Sequence, residues 1–248
     1  MKKAFTLVEL LTVLAIVLVL TGLVLASVMK VKERGRRTAC ANNLRQLIQA
    51  ALMYADEDKY GNLSSALHDT NDVMTFLYPA YIPTLATFIC PSTKNYIRRD
   101  QFVRNPFTGQ DELYDLTGYA GDVRSPGTSY ELFGFMNYTS DTTNYSDLWV
   151  VGNPLRVMGV KKTLSTVANY RHMYKAFGLQ GVQAGPSRIW LILDGDEPPG
   201  HQNYPDANNN HGETGGNVSF CDGHVEWVRR NEYVYRYELS QDENRTTP

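Results

Sequence analysis

The side chains best suited to chemistry crowd into positions 194–224. His201, His211, Cys221 and His224 have zinc-ligand side chains, and Asp194, Asp196, Asp206, Asn208, Asn210 and Glu213 are hard oxygen donors. His211, Asp222 and His224 are also the residue types of acid–base catalysis. Spacing argues against most of these uses. The chain has no nucleophile-elbow or zincin helix motif, and its His and Cys spacing matches no zinc finger or ribbon. Asp206-x-Asn208-x-Asn210 has the alternate spacing that opens a calcium loop, and these three are the calcium candidates. The sixth position, however, is His211, where an EF-hand needs glycine. The expectation is therefore no enzyme, no metal centre and no cofactor, with a solvated Asn-rich loop before a hairpin.

That hairpin gives Asp222 a structural role. Asn217–Cys221 and His224–Val228 flank Asp222-Gly223, a pair suited to a two-residue type I′ turn. This register pairs Phe220 with Val225 and Val218 with Trp227. All four side chains then share the core face, and Ser219, Cys221, His224 and Glu226 take the other. Asp222, Gly223 and Trp227 are thus expected to be structural. Upstream, RIWLIL at 188–193 reads as a central strand, SYELFGFM at 129–136 as a strand and residues 161–177 as a helix. Residues 97–127 and 137–147 read as loops.

The elements that must carry this region begin at the other end of the chain. Between Phe5 and Met29 the only charged residue is Glu9. A helix needs about 20 apolar residues to cross a bilayer core, and this stretch supplies them. Leu44, Leu47, Ile48, Ala51, Leu52 and Ala55 then recur at helical spacing. One helix from Phe5 to about Ala55 is expected, its second half laying that stripe on a globular domain. A carboxylate in hydrocarbon costs about 3 kcal/mol, so Glu9 needs a partner. The apolar run offers no Lys, Arg or His, so the partner must come from the chain's own terminus or from another molecule. A cleaved secretory signal ending at Val24-Leu25-Ala26 and a plain signal anchor are the alternatives.

Charge divides in the same way. Residues 1–37 hold seven Lys or Arg against two Glu, a net +5, so the remainder carries −7 of the chain's overall −2. The basic flank suits lipid headgroups. The acidic remainder argues against nucleic acid as a partner. Two lysines precede the apolar run and five Lys or Arg follow it, which taken alone would place the C-terminal side in the cytoplasm. Cys40, Cys90 and Cys221 could be three thiols or one disulfide and one thiol, and the sequence does not choose a pair.

MKKAFTLVELLTVLAIV resembles the N-terminus of type IV prepilins and type II secretion pseudopilins. CANNLRQL at 40–47, FICPS at 88–92 and HGETGGNVSFCDGHVEWV at 211–228 resemble a group of prepilin-like proteins in which a His precedes a C-terminal Asp-Gly by nine residues. Here ten residues separate His211 from Asp222, and Ala4 stands where the family usually has Gly. The resemblance implies cleavage between Ala4 and Phe5, N-methylation of Phe5, and assembly through Glu9 meeting the freed amine of a neighbouring subunit. It also implies a pilin-like α+β fold, a long helix packed on an antiparallel sheet. Residues 1–4 would be the leader, 5–29 the transmembrane and assembly half of the helix, 30–56 its second half, and 57–248 the globular domain. The implied protein is a structural subunit of a pseudopilus or pilus-like filament. Its partners would be other subunits, prepilin peptidase, an inner-membrane assembly platform and the membrane itself. It would cross the bacterial inner membrane once with its C-terminal domain outside the cytoplasm, reaching the periplasm or cell surface after assembly. A membrane-anchored extracytoplasmic binding protein exported by the same route is the alternative.

Overall fold

The structure is a computed structural model. It describes residues 6–65, 72–105, 108–117, 126–137, 146–150, 153–157, 159–195, 204–206 and 209–247. Helix α1 runs unbroken through Leu7–Glu57, within two residues of the expected ends. No proline interrupts it, and at 1.5 Å per residue it is about 75 Å long. Thr6 caps its start. Asp58 ends it, because its carboxylate accepts the N–H groups of Tyr60 and Asn62 at 2.9 and 3.0 Å and turns the chain away.

The two halves of α1 have opposite surroundings. From Leu7 to Val31 every Leu, Val and Ile is exposed. Beyond the basic cluster, Cys40, Leu44, Leu47, Ile48, Ala51 and Ala55 are buried. Leu52, which the spacing places in the same stripe, is half-buried.

Strands β1 (Phe102–Arg104) and β2 (Asp111–Leu113) pair antiparallel, inside a stretch that composition marks as loop. The expected strand at 129–136 is split. Its first part, β3 (Tyr130–Leu132), joins the main sheet, and its second part, β4 (Phe135–Met136), pairs with β7 (Val160–Lys161). Between them β5 (Ser146–Val150) and β6 (Asn153–Val157) form a hairpin. The helix expected at 161–177 is only α2 (Leu164–Asn169), with Thr163 as its N-cap. Strands β8 (Trp190–Asp194), β9 (Gly215–Phe220) and β10 (Val225–Arg229) follow, and the chain closes with helix α3 (Arg230–Gln241).

The main sheet has the order β10-β9-β8-β3 and is antiparallel throughout. The architecture is therefore α+β, with α1 laid across one face of the sheet. The second face is covered too, which explains why β8 is buried along its whole length. Trp190, Leu193, Val218, Phe220 and Val228 pack there with Tyr233 and Tyr237 of α3. A bulge between Trp190 and Ile192 turns two successive residues, Leu191 and Ile192, into the α1 core.

The β9–β10 hairpin exists, but its register differs by one residue from the expected pairing. Val225 faces Ser219, Glu226 faces Val218 and Trp227 faces Asn217. Gly223 has φ 96°, while Asp222 is not among the residues with positive φ. A type I′ turn needs positive φ at both central residues. The loop is instead three residues long with Gly at its left-handed position. The slip moves side chains between faces. Val218 and Phe220 face α3, whereas Val225 packs against the α1 core. Trp227 is half-buried rather than central, and the Arg37 guanidinium lies 4.1 Å above its ring.

Candidate functional site

Two regions carry unusual chemistry. The first is the start of α1. Thr6 and Glu9 form a reciprocal capping box. Glu9 Oε2 accepts from both the backbone N–H and the hydroxyl of Thr6 at 2.8 Å, and the Glu9 N–H donates to Thr6 Oγ1 at 3.3 Å. Within the single chain Glu9 is bonded by Thr6 of its own first turn, whereas the chain's terminus, one of the two sources expected to supply its partner, lies outside the described residues. Ala4 and Phe5 lie outside the described residues. Among the described residues, α1 is the one helix long and apolar enough to cross a membrane, and it stands near the N-terminus.

The second region lies where α1 crosses the end of the sheet. Four segments converge there. Cys40 comes from the buried stripe of α1 and Cys90 from the turn after the short helix Leu85–Phe88. Asp194 is the last residue of β8, and His211 lies in the loop before β9. All four are buried, and their ligand atoms lie within 4.8 Å of one another. Cys40 Sγ is 2.6 Å from Asp194 Oδ1, His211 Nε2 is 3.5 Å from Cys90 Sγ, and His211 Nε2 is 3.6 Å from Asp194 Oδ2. A ring of donors surrounds them. The Asn217 backbone N–H and Nδ2 both donate to Asp194 Oδ2, at 2.7 and 2.9 Å. The Ser92 N–H points at Cys90 Sγ at 3.5 Å. The Tyr130 hydroxyl, which accepts from Asn43 Nδ2, lies 3.3 Å from Cys40 Sγ.

His211 Nδ1 faces the other way. It lies 2.9 Å from Glu33 Oε1 on α1 and 3.1 Å from Ser92 Oγ. Glu33 Oε1 also accepts from Arg37 Nε at 3.1 Å.

The electrostatics follow from this crowding. Burial pushes the Cys40 thiol well up, and its contacts with Cys90 and Asp194 push the same way. Cys90 goes down to about 7, because the Cys40 hydrogen bond and then the His211 ring favour its thiolate over the cost of burial. Burial works against a charged His211, but Cys90, Asp194 and Glu33 outweigh it and raise the imidazole to about 9. These surroundings favour charge on both the His211 imidazole and the Cys90 sulfur. Such a cluster can store a proton, form a disulfide or bind a metal ion.

The side chains singled out from sequence fall elsewhere, His211 and Asp194 excepted. Cys221 is buried with Sγ 3.7 Å from Trp190 O, and burial pushes its thiol up to about 12. His224 is exposed, stacked on Phe220 at 4.1 Å, with Nδ1 2.6 Å from Asp222 Oδ1. Neither joins the cluster that His211 enters. His201, Asp196 and Asn208 lie outside the described residues. Asn210 is buried and donates Nδ2 to Ser129 O at 2.7 Å, anchoring its loop beside β3. The Asp206 N–H donates to Asn209 Oδ1 at 2.9 Å.

Sequence reasoning missed Cys40, Cys90 and Glu33 as neighbours of His211. A signal was nonetheless present. The three segments that resemble prepilin-like proteins beyond the N-terminus each contribute one member, namely Cys40, Cys90 and His211. No known protein family, curated protein or solved structure matches this chain.

Proposed function

We propose that this chain is a pilin-like structural subunit of a type II secretion pseudopilus or type IV pilus-like filament, held in the membrane and assembled through the first half of α1. The observation that carries the reading is the bare helix from Leu7 to Val31. Its apolar side chains point in every direction and, among those described, none is covered by the globular domain. A helix that is apolar all round is stable only inside lipid or among other helices. The second half of the same helix is fixed to the sheet, so the domain stands rigidly at the end of its own anchor.

Glu9 supplies the register. The Thr6 cap satisfies part of its carboxylate at the helix start, where the helix dipole favours a negative charge. Removal of residues 1–4 would place a new amine on Phe5, immediately before that cap. In low dielectric, that amine and the Glu9 of a neighbouring subunit attract strongly, while either charge alone is penalised. The pair therefore favours one axial offset between adjacent helices, whose remaining contacts rest on close packing of apolar faces. No step of bond-making chemistry is assigned to the chain itself.

N-terminal mass spectrometry of the protein recovered from bacterial membranes tests the reading. The expected chain begins at Phe5 and carries the mass of one additional methyl group. A chain beginning at Ser27 would mean a conventional signal peptide and would remove the anchor on which assembly depends.

A further inference from the structure

We propose that Cys40, Cys90, Asp194 and His211 form a structural zinc site that clamps α1 to the globular domain. The case starts from donor chemistry. Two thiols, one imidazole and one carboxylate in a closed, buried group are a zinc set, whereas calcium and magnesium select all-oxygen shells. Four protein ligands with no open position mark a structural site rather than a catalytic one.

Distances agree with that chemistry. Around a tetrahedral zinc, with Zn–S near 2.3 Å and Zn–N or Zn–O near 2.0–2.1 Å, neighbouring ligand atoms stand roughly 3.3–3.8 Å apart. His211 Nε2 already lies 3.5 Å from Cys90 Sγ. The 2.6 Å approach of Cys40 Sγ to Asp194 Oδ1 must open by roughly 1 Å to admit the ion. On binding, both sulfurs enter as thiolates, and the protons they held, together with any on His211 Nε2, pass to solvent. His211 binds as neutral imidazole through Nε2 and keeps its other proton on Nδ1.

The surroundings of the four residues decide between a metal and a disulfide. A ligating histidine usually donates its second N–H to a carboxylate, which fixes its tautomer and orientation. His211 Nδ1 lies 2.9 Å from Glu33 Oε1. Asn217 holds Asp194 by Oδ2 and leaves Oδ1 for the ion. Tyr130 and Ser92 direct donors at the two sulfurs, which eases the negative charge of two thiolates. A Cys40–Cys90 disulfide would use the sulfurs alone and give no role to a buried Asp–His pair or its carboxylate relay. Zinc uses every group. Its ligands come from four separate segments, so its binding energy becomes folding energy for the joint between anchor and domain.

The test uses the full-length chain in detergent, reduced, loaded with zinc chloride and desalted. About one zinc per chain is expected by elemental analysis. Cobalt(II) in its place should give a thiolate-to-metal charge-transfer band and the visible bands of a tetrahedral ion. Cys40→Ser and Cys90→Ser should lose the charge-transfer intensity, while Cys221→Ser should keep it, since that thiol lies outside the cluster. Glu33→Gln alters the relay and the surface ion pair of Glu33 with Arg37. It should leave the fold intact and weaken zinc about 10–100-fold in competition with a chromophoric chelator. The proposal is overturned if the reduced wild-type chain binds no zinc and shows no cobalt charge-transfer band, or if Cys40→Ser or Cys90→Ser binds zinc as tightly as wild type. The outcome is independent of the filament reading, because zinc content is measured on dispersed chains whether or not they assemble.

Discussion

The two halves of α1 are one helix in geometry and two materials in chemistry. Leu14, in the first half, is 50% exposed, and Leu47, in the second, is 0% exposed. Both are leucines in helical backbone. What separates them is the distribution of apolar residues around the circumference. The first half is apolar on all sides, so a small domain cannot cover it. The second half gathers its buried apolar residues in one stripe, with Asn42, Arg45 and Gln49 off it, and a single sheet face suffices. Apolar content alone therefore does not locate the core of this protein. Breadth of the apolar surface separates the part that needs lipid or other subunits from the part that completes the domain.

The largest expected effect tests that contrast directly. Leu47→Ala should destabilise the globular domain by about 2–5 kcal/mol, through lost burial and the cavity left behind. Leu14→Ala should leave the same domain unchanged. Urea unfolding of the full chain in detergent, followed by tryptophan fluorescence, separates the two. Equal losses from both substitutions would mean that the first half also folds onto the domain, and the contrast would fail.

Legibility in the sequence followed the same division. The helix, the central strand at β8 and the position of the β9–β10 hairpin were readable, because apolar periodicity and an Asp-Gly turn are local signals. The hairpin register was not. Asp222-Gly223 serves a two-residue turn and a three-residue loop alike, and the choice depends on the φ of Asp222. Helix α3 was missed because its buried positions are Tyr233, Tyr237, Glu238, Leu239, Ser240 and Gln241, with a single aliphatic residue and no apolar stripe. Buried Glu238 is satisfied by the N–H groups of Glu243, Asn244 and Arg245 in the turn beyond the helix, which no apolar period signals. The Cys40–Cys90–Asp194–His211 cluster could not be assembled from the sequence either, although Cys40, Cys90 and His211 each lie in a segment singled out there. No short spacing joins its members, and only the crossing of α1 over the sheet brings them together.

Glu9 sharpens the comparison from the exposed side. Glu9→Val removes a carboxylate from the apolar half and should ease membrane insertion by about 3 kcal/mol. Unfolding of the domain should not change, since Glu9 contacts only the first turn of its own helix. Filaments or cross-linked multimers should be lost. Normal multimers from Glu9→Val cells would show that charge pairing does not set the register between subunits.

The smallest effect comes from the two ends of the helix, which are capped by similar chemistry but belong to different halves. Thr6→Ala removes the N-terminal cap and should not alter domain stability. Asp58→Asn weakens the C-terminal stop, where the carboxylate accepts from the Tyr60 N–H, the Asn62 N–H and Asn62 Nδ2, and should cost about 1 kcal/mol at neutral pH. The pH dependence identifies the cause. Burial pushes the Asp58 carboxyl up, but the bonds from Asn62 and Tyr60 outweigh it and hold the group below its ordinary value. In the unfolded chain the carboxyl titrates near pH 3.9. A group with a lowered folded pKa contributes fully above the unfolded value and loses that contribution as pH falls through the folded one. The stability gap between wild type and Asp58→Asn should therefore stay constant from neutral pH down to about pH 4 and shrink below it. A gap that persists unchanged into stronger acid would mean that shape, not charge, ends the helix. A gap equal to that of Thr6→Ala would place the end of α1 outside the cooperative domain, moving the boundary between its two materials.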